Sequence, residues 1–362
     1  MTDPPAGTGG LADALAKYGA GLAAGVATLA ETPEPGESAA RRIVWRDGGR
    51  RLYRYHRGVD AETTPAPPLL IVYAMVNRPT VLDLRPGRSL VRHLLARQLD
   101  VFLLEWGNPR REDAGLSLED YVVGRLGDAI DHVLAESGAR AVHLLGVCQG
   151  GVFALCRAAY APERIASLTT TVTPVDFHTS GDRLSNLVRH LDLSLVEGTM
   201  ARVPGALLNQ VFLSLKPAAL SNQKYLDLVE RLSEPEAIGD FLAMERWIAD
   251  SPDQPVRVFA EFVRRLYQEN ALMAGSLTLA GRRIRLEEMA VPILNVYARD
   301  DHIVPPASSR ALSRLIRGKR YRELVIPGGH IGLYVGRRAL GIVPEAVADF
   351  VHAHDRGMLH RV

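Results

Sequence analysis

The chain has little lysine, few cysteines and no long uncharged apolar run. Only four of its 43 basic side chains are lysines, and its formal net charge of +2 includes no basic block. A near-neutral chain of this kind argues against nucleic acid as the main partner. No stretch of about 18 uncharged apolar residues occurs, so we expect no transmembrane helix. The N-terminus also lacks the positively charged region of a signal peptide, and we therefore expect a cytoplasmic protein.

The two cysteines, Cys148 and Cys156, are eight residues apart in what is predicted to be one turn and helix. A disulfide at this spacing is sterically poor, and Cys156 is expected to pack in the core. Three histidines, His352, His354 and His360, lie in a polar tail that we expect to be a disordered surface. The sequence therefore predicts neither a disulfide nor a metal site.

Residues 1–41 are predicted to form a polar tail followed by an amphipathic helix. Apolar residues recur at steps of three and four from Leu11 to Leu29, which is the helical period. A Pro-, Gly- and Glu-rich segment, residues 32–37, ends this helix. Its apolar stripe either packs on the body of the protein or docks to a partner or an apolar surface.

Apolar runs without alternation recur along the rest of the chain, and a hairpin around residues 47–49 precedes them. Such runs are typical of parallel strands that are buried on both faces. Helical patterns lie between most of them, which predicts a doubly wound α/β sheet. The runs are residues 69–73, 101–104, 142–145, 168–172, 293–297 and 321–326.

One interval, residues 176–281, breaks this alternation. It contains helical patterns at 184–195, 235–250 and 255–270, and no convincing buried strand. Because it is too long for a connecting loop, we interpret it as a helical cap, or lid, inserted into one sheet. Residues 42–175 then form the first part of the core and residues 282–362 the second.

The strongest local motif is Gly146-Val147-Cys148-Gln149-Gly150, which follows a predicted strand and opens a helix. It has the pattern of a nucleophile elbow with cysteine in place of serine. The sharp turn strains the nucleophile's backbone, so the residues two positions away must lack side chains. A helix N-terminus also favours a thiolate, and the alternative is a glycine-rich turn with a buried cysteine.

Two further residues complete a triad in the chain order nucleophile, acid, base, which is that of the α/β-hydrolase fold. Asp301 follows the strand at 293–297, and His330 follows the strand that ends at residue 326. Open α/β sheets bind ligands at these carboxyl ends of strands. Asp300 competes with Asp301 as the partner of His330, and His302 is an auxiliary candidate or a loop residue beside the site.

An oxyanion hole is expected from two backbone N–H groups. Gln149 follows the nucleophile, and the loop after the first central strand supplies Val76 or Asn77 as the second donor. The neighbouring Arg78 is either structural or contacts a phosphate of a large leaving group. A thiol nucleophile favours thioester exchange, because the acyl-Cys enzyme and a thioester substrate are close in energy. We therefore expect acyl transfer from coenzyme A, with a cap that excludes water.

With these motifs, the sequence resembles the polyhydroxyalkanoate synthases, specifically the short catalytic subunit of the class III enzymes. The resemblance extends from about residue 53 to residue 346, and the one departure noted is Glu105 where aspartate is expected before Trp106-Gly107. The motifs that carry it are residues 69–74, 76–79, 146–151, 171–177, 212–217, 247–253, 301–306 and 327–332.

The resemblance implies polymerisation of (R)-3-hydroxyacyl-CoA, typically 3-hydroxybutyryl-CoA, into a polyester with release of CoA. By matching position, Cys148 carries the growing chain and His330 activates it. Asp301 either orients His330 or helps deprotonate the substrate hydroxyl. The resemblance also implies a homodimer, an accessory subunit, polymer granules and a mobile lid. CoA is a leaving group here, and no cofactor is expected.

Two other hypotheses compete with this interpretation. A cysteine hydrolase of thioesters or dienelactones shares the Cys-His-Asp set, but the dienelactone type is usually smaller and lacks the helical insertion. A non-catalytic scaffold on the granule predicts damage to the triad, and the sequence shows none.

Overall fold

The computed structural model describes residues 39–56, 66–215, 235–316 and 318–355. The predicted helix between Leu11 and Leu29 and the tail residue His360 lie outside these ranges. None of the described helices is long and apolar enough to cross a membrane.

An eight-stranded sheet forms the centre of the molecule, in the order β1-β2-β6-β3-β7-β8-β13-β14. The first two strands form the predicted antiparallel hairpin, β2 pairs antiparallel with β6, and all remaining pairs are parallel. These strands are β1 (Arg41–Asp47), β2 (Arg50–Tyr55), β3 (Pro68–Val72), β6 (Asp100–Glu105), β7 (Val142–Val147), β8 (Ile165–Thr171), β13 (Ile293–Ala298) and β14 (Tyr321–Ile326). The predicted mostly parallel α/β sheet is thereby confirmed.

The short strands form three separate antiparallel pairs outside this sheet. They are β4 (Asp83–Arg85) with β5 (Arg88–Ser89), β9 (Arg202–Val203) with β10 (Gln254–Pro255), and β11 (Thr278–Leu279) with β12 (Arg282–Arg283).

Twelve α-helices can be numbered within the described residues. They are α1 (Leu90–Leu95), α2 (Leu126–Ser137), α3 (Gln149–Tyr160), α4 (Arg183–Val188), α5 (Leu193–Thr199), α6 (Gly205–Ser214), α7 (Pro235–Ala249), α8 (Val256–Phe262), α9 (Pro306–Arg310), α10 (Leu312–Leu315), α11 (Gly332–Val335) and α12 (Arg337–His354). Two π-helical turns, Asp120–Arg125 and Val263–Gln268, precede α2 and follow α8. Short 3₁₀ turns lie at Pro79–Leu82, Arg111–Gly115, Pro162–Arg164, Leu286–Glu288 and Gly318–Arg320.

The central strands are buried because their apolar runs meet helices on both faces. Every residue of β3, β6, β7, β8 and β13 is buried. The side chains that alternate along each strand divide into two large clusters, one with α2 and α3 and the other with α1 and α12. This arrangement places the carboxyl ends of β3, β7, β13 and β14 along one edge of the sheet.

Helices α4 to α8 occupy the interval between β8 and β13, in the region predicted to be a cap. The single helix predicted over 184–195 is wrong, because the chain forms α4 and α5 as two short helices. Asp182 and Asp192 accept backbone N–H groups at the start of each helix, and this local capping favours two helix starts over one continuous helix.

The prediction of a disordered tail is also wrong for His352 and His354. Both lie in the last turn of α12. His354 Nδ1 lies 2.8 Å from the Phe350 carbonyl oxygen, and His352 Nε2 lies 3.0 Å from that of Arg97. The helix continues to His354 because buried residues on one face, including Val347 and Val351, pack on the sheet.

Candidate active site

The turn between β7 and α3 holds Cys148 in a strained backbone conformation. Its φ is 52° and its ψ is −118°, a combination that residues other than glycine rarely adopt. The Cys148 N–H donates to the Thr171 carbonyl at 2.9 Å, which ties the turn to the neighbouring strand. A Cβ atom on Gly150 would overlap the carbonyl oxygens of Val72 and Tyr73. The predicted strain at Cys148 and the need for a glycine at position 150 are both present in the structure.

Asp301 and His330 lie together at the ends of β13 and β14. His330 Nδ1 is 2.7 Å from Asp301 Oδ2, and both side chains are buried. The second carboxylate oxygen accepts the N–H groups of Ile303 and Val304, each at 2.9 Å. Both oxygens of Asp301 therefore accept hydrogen bonds. Because the partner of His330 Nδ1 is a carboxylate, Nδ1 is the nitrogen that carries the proton of this bond. The opposite nitrogen, Nε2, is left free of Asp301, and His330 lines the same cavity as Cys148.

The alternative partner, Asp300, lies outside this arrangement. Its side chain is 58% exposed and pairs with Arg299. Its Oδ2 accepts the Gly328 N–H at 3.1 Å, so it fastens the loop that precedes His330. The geometry thus places Asp301, and not Asp300, next to the imidazole.

Two charges control the protonation of His330. Burial by itself disfavours the imidazolium, but the negative charges of Asp301 and Cys148 outweigh that cost and raise the pKa of His330 to about 10. An imidazolium in this position is a counter-ion for a thiolate on Cys148.

The loop after β3 faces the start of α3. The Met75 N–H donates to Gln149 Oε1 at 2.9 Å, and the Asn77 N–H donates to Ser251 Oγ at 3.3 Å. Among the described residues, the intervening N–H of Val76 has no hydrogen-bond acceptor, and Val76 lines the cavity that contains Cys148. The N–H of Gln149 is at the first position of α3, where helices leave the donor unpaired. The structure therefore brings the two predicted oxyanion donors to the same cavity.

Comparison with known proteins agrees with this architecture. The alpha/beta hydrolase fold family matches residues 67–336. A hydrolase from Pseudomonas aeruginosa has a TM-score of 0.53 at 15% identity, covering 89% of this chain and all of the other. A putative non-heme bromoperoxidase from Mycobacterium tuberculosis has a TM-score of 0.50 at 16% identity, covering 91% and 100%. At these identities the solved structures support the fold alone.

The curated relatives are more informative because they are similar over nearly their whole length. Poly(3-hydroxyalkanoate) polymerase subunit PhaC of Allochromatium vinosum is 41% identical over 94% of this chain and 97% of its own. The proteins of that name from Thiocystis violacea and Synechocystis are 41% and 40% identical, covering 94% and 86% of this chain and 96% and 84% of their own. The chain belongs to the poly(3-hydroxyalkanoate) polymerase family.

The cavity above Cys148 in this polymerase-family chain has a volume of ≈ 670 Å³. Its floor consists of the core residues already described, and most of its remaining wall comes from apolar side chains of α4 to α8. The cap residues that line it include Leu184, Val188, Leu191, Val196, Leu208, Phe212, Trp247, Phe259 and Tyr267. Among the described residues no group of three or more histidines, cysteines or carboxylates is arranged to hold a metal.

The auxiliary candidates have different surroundings. His302 lines the cavity, whereas the Asn77 side-chain amide donates to Asn209 Oδ1 at 3.3 Å. Arg78 forms ion pairs with Asp250 at 2.9 Å and with Glu105 at 3.2 Å. These contacts support the structural interpretation of Arg78. Cys156 is buried as predicted, and burial raises the pKa of its thiol to about 12.

The sequence did not single out three tyrosines that line the cavity. Tyr73, Tyr267 and Tyr334 are held in the neutral form, because burial and the nearby Cys148 charge raise the pKa of each well above its ordinary value. Tyr267 belongs to a helical pattern that predicts only a packing face. The family motif at residues 247–253 did contain Trp247, and that motif was the available signal for the cap side of the site.

Proposed function

We propose that this chain polymerises (R)-3-hydroxyacyl-CoA, with 3-hydroxybutyryl-CoA as the expected monomer, into polyhydroxyalkanoate with release of CoA. The observation that carries the proposal is the position of Cys148 beside a buried Asp301–His330 pair under an apolar cavity. The names of the relatives that match nearly the whole chain support the same chemistry.

The first half-reaction acylates the enzyme. The Cys148 thiolate attacks the thioester carbonyl, and the developing oxyanion accepts the N–H groups of Gln149 and Val76. The carbon–sulfur bond to CoA then breaks, and the CoA thiolate takes the proton from His330 Nε2. The product is an acyl-Cys148 thioester, whose acyl group remains activated for transfer.

The second half-reaction transfers the acyl group to a hydroxyl. His330, now neutral at Nε2, accepts the hydroxyl proton as the oxygen attacks the acyl-Cys148 carbonyl. A carbon–oxygen ester bond forms, the bond to sulfur breaks, and Cys148 returns to the thiolate. Because both oxygens of Asp301 are already bonded, its role in this proposal is to orient His330 and stabilise its charged form.

The apolar cavity favours transfer over hydrolysis because it limits the access of water to the acyl-Cys148 carbonyl. The same proposal includes a homodimer that works with an accessory subunit at cytoplasmic polymer granules. The two half-reactions use no cofactor, since CoA is the leaving group of the first half-reaction.

The test is incubation of the purified chain with (R)-3-hydroxybutyryl-CoA, with and without an accessory subunit, while free CoA and insoluble polymer are measured. We expect stoichiometric release of CoA with formation of polyester. Free 3-hydroxybutyrate as the sole product would instead assign the chain as a thioester hydrolase. Absence of both products in the presence of the accessory subunit would favour a non-catalytic scaffold.

A further inference from the structure

Of three consecutive backbone N–H groups in the loop after β3, the outer two have side-chain acceptors and the middle one has none among the described residues. Met75 is bound by the side chain of Gln149, which belongs to α3 of the core. Asn77 is bound by Ser251, which follows helix α7 of the cap. Val76 lies between them and faces the cavity. The direction of the Val76 N–H is therefore set by one contact to the core and one to the cap.

The cap side of this loop has several further contacts. The Trp247 indole N–H donates to the Arg78 carbonyl at 2.7 Å, and Trp247 is buried. Asp250 pairs with the Arg78 guanidinium. Asn209 of α6 accepts the Asn77 side-chain amide and donates to the Ile248 carbonyl, so α6 and α7 are joined at the same point.

The backbone of the loop needs such support. Asn77 has a φ of 56°, in the left-handed region, which asparagine adopts more readily than other residues with a side chain but which is still uncommon outside glycine. A conformation of this kind persists where the surroundings fix it from several sides. Here the hydrogen-bond partners of the Asn77 N–H and side-chain amide, Ser251 and Asn209, both belong to the cap.

We propose that the cap positions the oxyanion donor Val76 through the contacts of Trp247 and Ser251 with the backbone of residues 77 and 78. Trp247 and Ser251 are thus positioning residues, and the loss of either contact with the loop moves the Val76 N–H away from the reacting carbonyl. The proposal rests on the acyl-transfer function given above, since an oxyanion donor is useful only when a carbonyl is attacked.

The test compares two reactions of Cys148 in the Trp247→Phe variant, which keeps an aromatic ring and loses the indole N–H. Acylation needs the oxyanion hole, whereas alkylation by iodoacetamide needs only the thiolate and its access. We expect the rate of acylation to fall about tenfold, less than the 10²- to 10³-fold typical of deleting a donor outright. The rate of alkylation, followed by mass spectrometry of the Cys148 peptide, should change less than about twofold.

Acylation is measured as the first turnover of CoA release from 3-hydroxybutyryl-CoA and, separately, as the burst of nitrophenol from p-nitrophenyl acetate. The second substrate makes the outcome independent of the polymerase function. If the wild type releases no CoA but gives an ester burst that Trp247→Phe slows, the proposed function fails and the positioning role stands. Ser251→Ala provides a second variant, with an expected loss of about threefold because its contact is longer.

Two matched controls separate positioning from general damage. Trp45→Phe changes a tryptophan that stacks on His132 away from the cavity. Asp240→Asn weakens another attachment of α7 to the core, its pairs with Arg85 and Arg88, without a contact to the loop. Both should acylate at the wild-type rate. Equal losses of acylation and alkylation in Trp247→Phe, or a loss in Asp240→Asn as large as in Trp247→Phe, would overturn the proposal.

Discussion

The two walls of the cavity are built in different ways. On the core wall, Cys148, Asp301 and His330 lie at the ends of three strands of one sheet, and each is fixed by contacts with its own turn or the adjacent strand. The cap wall consists of helices of 6 to 15 residues that leave Leu187 54% and Leu195 63% exposed. The comparison indicates that the bond-making groups lie on the sheet, while the enclosing wall is made of short helices that combine apolar packing with polar contacts to the loop after β3.

The largest expected effect is on the core wall, at the nucleophile. Cys148→Ala should lower the rate of CoA release by about 10⁵-fold or more, because no other group on the floor of the cavity can form the acyl intermediate. The matched control is Cys156→Ala, which changes the other cysteine, buried two helical turns away. It should retain wild-type turnover, and equal losses in both variants would contradict the role of Cys148.

The next largest effect is expected at the acid. Asp301→Asn should lower kcat by about 10⁴-fold, because the amide cannot stabilise the charged imidazole and can favour the wrong tautomer. Asp300→Asn is the control, since its exposed carboxylate pairs with Arg299 and accepts the Gly328 N–H, and we expect a change of less than about threefold there. The measurement is steady-state CoA release, and similar kcat values for the two variants would show that the wrong carboxylate has been assigned.

Sequence patterns could predict the core wall because its determinants are local. The strand at 321–326, the elbow around Cys148, and the strand ends that carry Asp301 and His330 are each visible within a few residues. The choice between Asp300 and Asp301 was not visible in the sequence, because it depends on which carboxylate contacts a histidine 29 residues away.

The cap wall was predictable only as a set of helices. Its first helix divides into α4 and α5, and the hydrogen bonds from Asn77 and Arg78 to the cap join residues that are more than 130 positions apart in the chain. Packing of short helices on a loop has no periodicity that a sequence can show. The family motif that contains Trp247 marked the position without indicating what the side chain does.

A pair of leucines on one cap helix tests the cap wall directly. Leu193 is buried against Ala260 and Val263, whereas Leu195, two positions later on α5, is exposed. Leu193→Ala should lower the free energy of unfolding by about 2 kcal/mol, because it leaves a gap in a small apolar cluster. Leu195→Ser should change it by less than about 0.5 kcal/mol. Urea denaturation measures both, and equal values would contradict a stabilising role for the burial of Leu193 in this cluster.

The smallest effect, counted per pH unit, concerns the charge on His330, which belongs to the core wall. It is measured as the change in the free energy of unfolding with pH. The pKa of His330 is raised from its ordinary value near 6.5 to about 10, so the folded chain retains a proton that the unfolded chain releases. This stabilisation is fully present below pH 6.5 and is lost as the pH rises through about 10. Between pH 7 and 9 the contribution of this proton to the free energy of unfolding should therefore fall by up to about 1.4 kcal/mol per pH unit.

Urea denaturation of the wild type and of His330→Gln across this range isolates the contribution of one proton. The variant should lack the slope that the wild type shows, and parallel curves would contradict a cationic His330. Leu193→Ala should keep the wild-type slope while starting from a lower stability, because α5 contributes no partner to the imidazole. If the pH dependence disappears in His330→Gln and persists in Leu193→Ala, the charge that stabilises the site belongs to the core wall. The cap then serves to hold the oxyanion loop and to exclude water.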